Sequence, residues 1–184
     1  MEVSFKASKV GITTVSRRKL LSQAFSQKQV SLIKFNLDSK NDRNVLKKLS
    51  TSWSCSFAGS IYDGVKDGTA SEVYGLTIQK DSFCKLDTRK ILGLAEIVDQ
   101  GDGGICLEYL QIKPKYQYEK RFKPRKLIGA GSEIVNYLKS LSSVSYIKTN
   151  PVFSAIDFYE KLGFVSSEQE TGELIWKKGI NKVL

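Results

Sequence analysis

Lys126-Leu-Ile-Gly129-Ala-Gly131-Ser132 follows Ile105-Cys-Leu-Glu-Tyr-Leu-Gln-Ile112, a run of β-compatible residues, and precedes a segment in which Ile134, Val135, Leu138 and Leu141 recur at helical spacing. A glycine pair at a strand-to-helix junction lets backbone N–H groups approach an anion closely, and the helix N-terminus adds partial positive charge. The stretch therefore reads as a phosphate cradle, with a plain tight turn as the alternative. The charge distribution favours the cradle. Of the net +10, residues 1 to 37 carry +6 and residues 113 to 126 another +6, leaving −2 for the remainder. The second cluster runs directly into the glycines, where it would attract a polyanion such as a nucleotide.

At 184 residues, 41% hydrophobic and 26% charged, the chain fits one domain, spanning 1 to 184, with enough apolar residues for a core. It contains no apolar run of membrane-spanning length and no secretory signal core, so a soluble cytoplasmic protein without membrane contact is expected. The basic, serine-bearing segment around Arg17-Arg18-Lys19 leaves an organellar transit peptide as a second reading of the N-terminus. Cys55, Cys84 and Cys106 are too scattered for a disulfide framework, and no metal site is expected. The sequence has no histidine, which removes every histidine-based nucleophile system. Acid–base chemistry must use Glu, Asp, Tyr, Cys, Lys or water.

Along the chain, Val30 to Phe35 reads as a strand and Asp42 to Trp53 as a helix with Leu46, Leu49 and Trp53 on one face. A second helix is expected from Phe57 to Val65. Strands are expected over Glu72–Ile78, Ile91–Val98 and Ile105–Ile112, with the turn cluster Asp99-Gln-Gly-Asp-Gly-Gly104 joining the last two. Beyond the cradle and its helix come a short strand over Ser145–Thr149, a helix over Ser154–Leu162 ended by Gly163, and a last strand over Glu173–Lys177. This order argues for a mixed sheet flanked by helices.

Ser154-Ala-Ile-Asp-Phe-Tyr-Glu-Lys-Leu-Gly-Phe164 resembles the closing helix of the GCN5-related N-acetyltransferase (GNAT) superfamily. Arg125-Lys-Leu-Ile-Gly-Ala-Gly131 resembles that family's R/Q-x-x-G-x-G/A pyrophosphate loop, and the two motifs occur in the family's order. The likeness covers roughly residues 90 to 164; the first 75 residues match only in their pattern of elements. It implies an α/β (α+β) fold with a mixed, mostly antiparallel sheet of six to seven strands and about four helices. It also implies acetyl-CoA as co-substrate and acetyl transfer to a primary amine by direct attack in a ternary complex.

The same resemblance implies site residues. The pantetheine arm would pair along Leu110, Gln111 and Ile112, and the pyrophosphate would rest on Arg125, Lys126, Leu127, Ile128, Gly129, Ala130, Gly131 and Ser132. Tyr159 lies where the family commonly places the tyrosine that protonates the departing thiolate. Alternatively, the Ala155, Phe158, Tyr159 and Leu162 stripe makes it a core aromatic. Glu108, a carboxylate in an apolar strand alternating with Cys106 and Leu110, is the candidate general base if burial raises its pKa, and Glu96 is the weaker candidate. Cys106 has no neighbour in sequence that would activate it as an acyl carrier.

Two features depart from the family. The linker Pro114-Lys-Tyr-Gln-Tyr-Glu-Lys-Arg-Phe-Lys-Pro124 is longer than its usual connection, and Val152 stands where many members carry an asparagine. The linker reads either as a solvated loop or as a basic flap. Its interleaved Tyr116, Tyr118 and Phe122 suit RNA, which makes a nucleic-acid-linked amine, such as that of an aminoacyl-tRNA, an alternative acceptor. A non-catalytic acyl-CoA- or nucleic-acid-binding module is a third reading, and the chain fits a monomer or a homodimer.

Overall fold

The computed structural model describes residues 6–18, 25–53, 56–70, 72–117, 127–168 and 172–179. A long hairpin opens the fold: β1 (Ser8–Arg18) pairs antiparallel with β2 (Phe25–Lys34). Two helices follow, α1 (Lys40–Ser52) and α2 (Ser56–Asp67). The side chain of Ser39 caps α1 by accepting from the Asp42 N–H. An antiparallel meander of β3 (Glu72–Thr77), β4 (Ile91–Asp99) and β5 (Gly104–Ile112) forms the centre. Then come α3 (Pro114–Gln117), β6 (Leu127–Ile128), α4 (Ala130–Ser140), β7 (Tyr146–Thr149), α5 (Ile156–Lys161), β8 (Val165–Ser166) and β9 (Leu174–Lys177).

The sheet order is β6-β1-β2-β3-β4-β5-β7-β9-β8, and every pairing is antiparallel except β5 with β7. The mixed, mostly antiparallel sheet implied by the sequence is present. It has nine strands among the described residues where six to seven were expected, because β6 and β8 are two-residue ladders and β1 was not foreseen. β1 alternates short polar residues and carries only Val15 deep in the core, so its apolar face is thin in sequence.

The sheet separates two cores. On one face Leu46 and Leu49 of α1, Trp53 at its C-cap, and Ala58, Ile61 and Val65 of α2 pack against Ile33, Val73, Ile91 and Leu94. On the other, Ile134, Val135 and Leu138 of α4 pack against Leu32, Leu76, Ala95, Ile97 and Leu107, joined by Tyr159 and Phe164. Alternation along each strand supplies both faces. Among the described residues no helix is long and apolar enough to cross a membrane.

Leu94 is fully buried at the centre of the sheet. Leu94→Ala is expected to cost about 2–5 kcal/mol, read as a lower urea midpoint with an unchanged m-value.

Candidate functional site

The register of β5 decides the geometry of the site. Opposite β4, Glu96 pairs with Tyr109 and Ile97 with Leu107, so Glu108 is the extra residue of a β-bulge. The bulge breaks the alternation expected from sequence. Leu110 joins Ile105, Leu107 and Ile112 on the α4 face, while Tyr109 packs on the α2 face against Phe57, ring centroids 5.6 Å apart. Glu108 is exposed, so the burial expected of it is not there. That burial belongs to Glu96, one strand away, which is 3% exposed.

The bulge coincides with a parting of strands. β5 and β7 pair only from Gly104↔Tyr146 to Cys106↔Lys148, and the Thr149 hydroxyl makes a last link, donating to the Leu107 carbonyl at 3.0 Å. Beyond it the β7-side edge of β5, from Glu108 to Ile112, has no strand partner among the described residues. An open edge of this kind can accept an extended ligand as an added strand. Leu110 and Ile112 turn their side chains into the adjoining cavity. Gln111 points the opposite way, fully buried, its amide oxygen accepting from the Ala58 N–H at 2.7 Å. Its contribution to the edge is backbone.

A 300 Å³ cavity fills the space between β5, the start of α4 and α5, lined by Leu110, Ile112, Tyr116, Ile128 to Ser132, Ala155, Phe158 and Tyr159. Larger clefts exist, including one of 630 Å³ beside Lys34, Glu72 and Tyr74. Among the described residues it is the smaller cavity that brings together an open strand edge, the N-terminus of an eleven-residue helix and a buried phenol. Gly129 is the N-cap of α4, with φ +91°, a conformation that strains any residue with a Cβ, and it offers no side chain to the first-turn amides. Those amides face the cavity from Ala130 to Ser132. At Gly131 a Cβ would lie 3.2 Å from Cζ of Phe158, so a side chain there would have to push the Phe158 ring aside by a few tenths of an ångström. Arg125 and Lys126 lie outside the described residues, as does most of the linker; for Leu127 only the backbone is described, paired with Arg17.

Sequence reasoning missed two contributors. Tyr116 sits in the short helix α3, where the basic linker begins, and enters the cavity wall under the Lys115 ammonium, 4.8 Å from its ring centroid. Phe158 turns to the cavity and meets Tyr159 edge-on, centroids 4.9 Å apart. Both were visible in sequence only as a loop aromatic and a core stripe.

Tyr159 is 5% exposed, packed edge-on against Phe164 and hydrogen-bonded to Thr149. Burial pushes its phenol up to about 12, and the Thr149 bond pulls the other way. It is at once a core aromatic and a wall of the cavity. Glu96 is pushed up to about 7, by burial first and then by the charge of Glu108. One oxygen faces Gly64 of α2 so closely that a Cβ there would come within 2.7 Å, and the other has no hydrogen-bond partner among the described residues. Cys106 is pushed up to about 12 by burial, by its hydrogen bond to Glu108 and by the charges of Glu108 and Glu173, which Lys148 opposes. At neutral pH it is a thiol and a poor nucleophile.

This architecture, a mostly antiparallel sheet whose central parallel pair splays beside a glycine-started helix, is the GCN5-related N-acetyltransferase fold. Tetrahymena GCN5 superposes with a TM-score of 0.51 at 12% identity, over 76% of this chain and 90% of that one. A candidate N-acetyltransferase from Lactobacillus plantarum gives 0.54 at 15%, over 79% and 94%. A GNAT-family candidate from Desulfovibrio desulfuricans gives 0.53 at 13%, over 80% and 98%. No protein-family model matches the sequence, and no curated protein matches it either.

Alkaline difference spectra of the wild type against Tyr159→Phe should show no phenolate signal from Tyr159 at pH 10, where an ordinary tyrosine is half ionised, and its appearance only towards pH 12.

Proposed function

We propose that the chain transfers an acetyl group from acetyl-CoA to a primary amine by direct attack in a ternary complex. The observation that carries this reading is the single cavity in which the unpaired edge of β5, the first-turn amides of α4 and the Tyr159 phenol meet. An amide-bearing arm fits the open edge, a pyrophosphate fits the helix N-terminus, and the thioester then falls beside Tyr159. Gly129 to Ser132 bind the phosphates, and Leu110 to Ile112 align the arm through their backbone.

In this reading Glu96 takes the proton of the incoming ammonium, directly or through water. A carboxyl with a pKa of about 7 is half in its basic form at neutral pH and well matched to that task. The free amine forms the new C–N bond at the thioester carbonyl as the C–S bond breaks. Tyr159, protonated across the physiological range, gives its proton to the departing sulfur, and the proton that the newly bonded nitrogen sheds to become an amide restores the phenol. Glu108, exposed beside Glu96, raises that pKa by its charge and stands at the entrance. No step requires Cys106.

The nucleic-acid-linked acceptor has less support. β6 pairs with β1 through Ser16↔Ile128 and Arg17↔Leu127, so an N-terminal cation stands next to the phosphate cradle. The carboxylates Glu96 and Glu108 stand at the acceptor side. Basic charge placed there suits the co-substrate's phosphates better than those of a polynucleotide acceptor.

Calorimetric titration of acetyl-CoA tests the reading first: binding that weakens in Gly131→Val is expected, and failure of the wild type to bind would end it. Tyr159→Phe should lower kcat by about 10²-fold with little change in acetyl-CoA affinity, whereas a binding module would show no turnover to lose. Because Glu96 must be deprotonated to act, kcat/KM should fall as pH drops below about 7. Glu96→Gln should lose both the rate and that acid limb.

A further inference from the structure

Three carboxylates cross the sheet in one row on the α2 face. Cys106 pairs with Val98 of β4 and Lys148 of β7, and Lys148 pairs with Ile175 of β9, so these four side chains share a face. Two residues along lie Glu96 of β4 and Glu173, which directly precedes β9, and between them the bulge residue Glu108 of β5, whose carboxylate hydrogen-bonds Cys106. The side chains agree with the backbone register. Glu96 feels the charge of Glu108, and Cys106 feels both Glu108 and Glu173. The row lies where β5 and β7 part, opposite the cavity that holds Tyr159.

Two of the three are buried and incompletely partnered. Glu173 is 5% exposed; Lys148 Nζ lies 3.7 Å from one of its oxygens, and the other has no hydrogen-bond partner among the described residues. Glu96, 3% exposed, likewise keeps one unpartnered oxygen. Burying such oxygens unbonded is costly, and among the described residues no cation is paired with either of them. A cationic ligand would satisfy them. The row spans three strand spacings, roughly 14 Å before side-chain reach. One ammonium cannot touch all of it, but an extended aliphatic chain with several ammonium groups can.

We propose that the acceptor is a linear aliphatic polyamine, whose reacting amine meets Glu96 at the splay while its distal ammonium groups are held by Glu108 and Glu173. This rests on the acetyl-transfer reading and narrows it to a substrate class. Glu108 and Glu173 determine specificity, and an acceptor bearing phosphate or carboxylate near its amine is repelled.

The test is calorimetric titration of spermidine and of n-butylamine into the full chain, with and without CoA, at one fixed ionic strength. Spermidine should bind at least about tenfold more tightly than butylamine. Glu108→Gln, an exposed change that spares the core, should remove most of that advantage while acetyl-CoA affinity stays unchanged; Glu173→Gln should do the same. Equal affinities for the two amines, or undiminished spermidine binding in Glu108→Gln, would overturn the proposal even if acetyl-CoA binds and butylamine is acetylated. Spermidine binding that survives alongside absent acetyl-CoA binding would instead remove the transfer reading and leave the cation site standing.

Discussion

Strand β5 cannot stay paired with both neighbours once it carries an extra residue opposite β4. The bulge at Glu108 keeps the β4 ladder intact up to Gly93↔Ile112, and the compensating loss falls on the β7 side, where pairing ends at Cys106↔Lys148. From that parting come an unpaired edge and, beside it, the cavity between β5, α4 and α5. The Thr149 hydroxyl, bonded to both the Leu107 carbonyl and the Tyr159 phenol, sits at the apex and ties the splay to the proposed acid.

The two faces are chemically opposed. On the α4 side the helix N-terminus and Arg17 beside β6 present positive potential over a wall of apolar side chains. On the α2 side Glu96, Glu108 and Glu173 present negative potential, with Lys148 offsetting part of it. A reaction between a polyanionic donor and a cationic acceptor is served by that polarity, since each substrate is drawn to its own side.

The helices and the central strands were legible because their apolar periodicity was strong: α1, α2 and α4 lie within a few residues of where Leu46, Ile61 and Ile134 place them. Gly129, Gly131 and Tyr159 were legible as motif residues, and the cavity brings them together. The roles of Glu96 and Glu108 were not. A bulge leaves no mark in a sequence read with strict alternation, and one inserted residue exchanges the faces of everything after it. Strict alternation therefore puts Leu110 on one face with Glu108, whereas the bulge separates them and the buried carboxylate lies on β4. Tyr116 was hidden for a related reason, since a four-residue helical turn in a basic linker has too short a period to detect.

The pairing of β1 with β6 joins residues more than a hundred positions apart, Ser16 with Ile128. Contacts that distant in sequence form late, because the loop they close must first be ordered. A chain emerging from the ribosome would hold its N-terminal hairpin and first helices well before β6 is available to pair with β1. Until then the open strands would offer their edges to other chains. The interval between translating residue 18 and residue 128 is therefore one in which the outer edge of β1 stands uncovered, and the two-residue strand β6 is the piece that covers it.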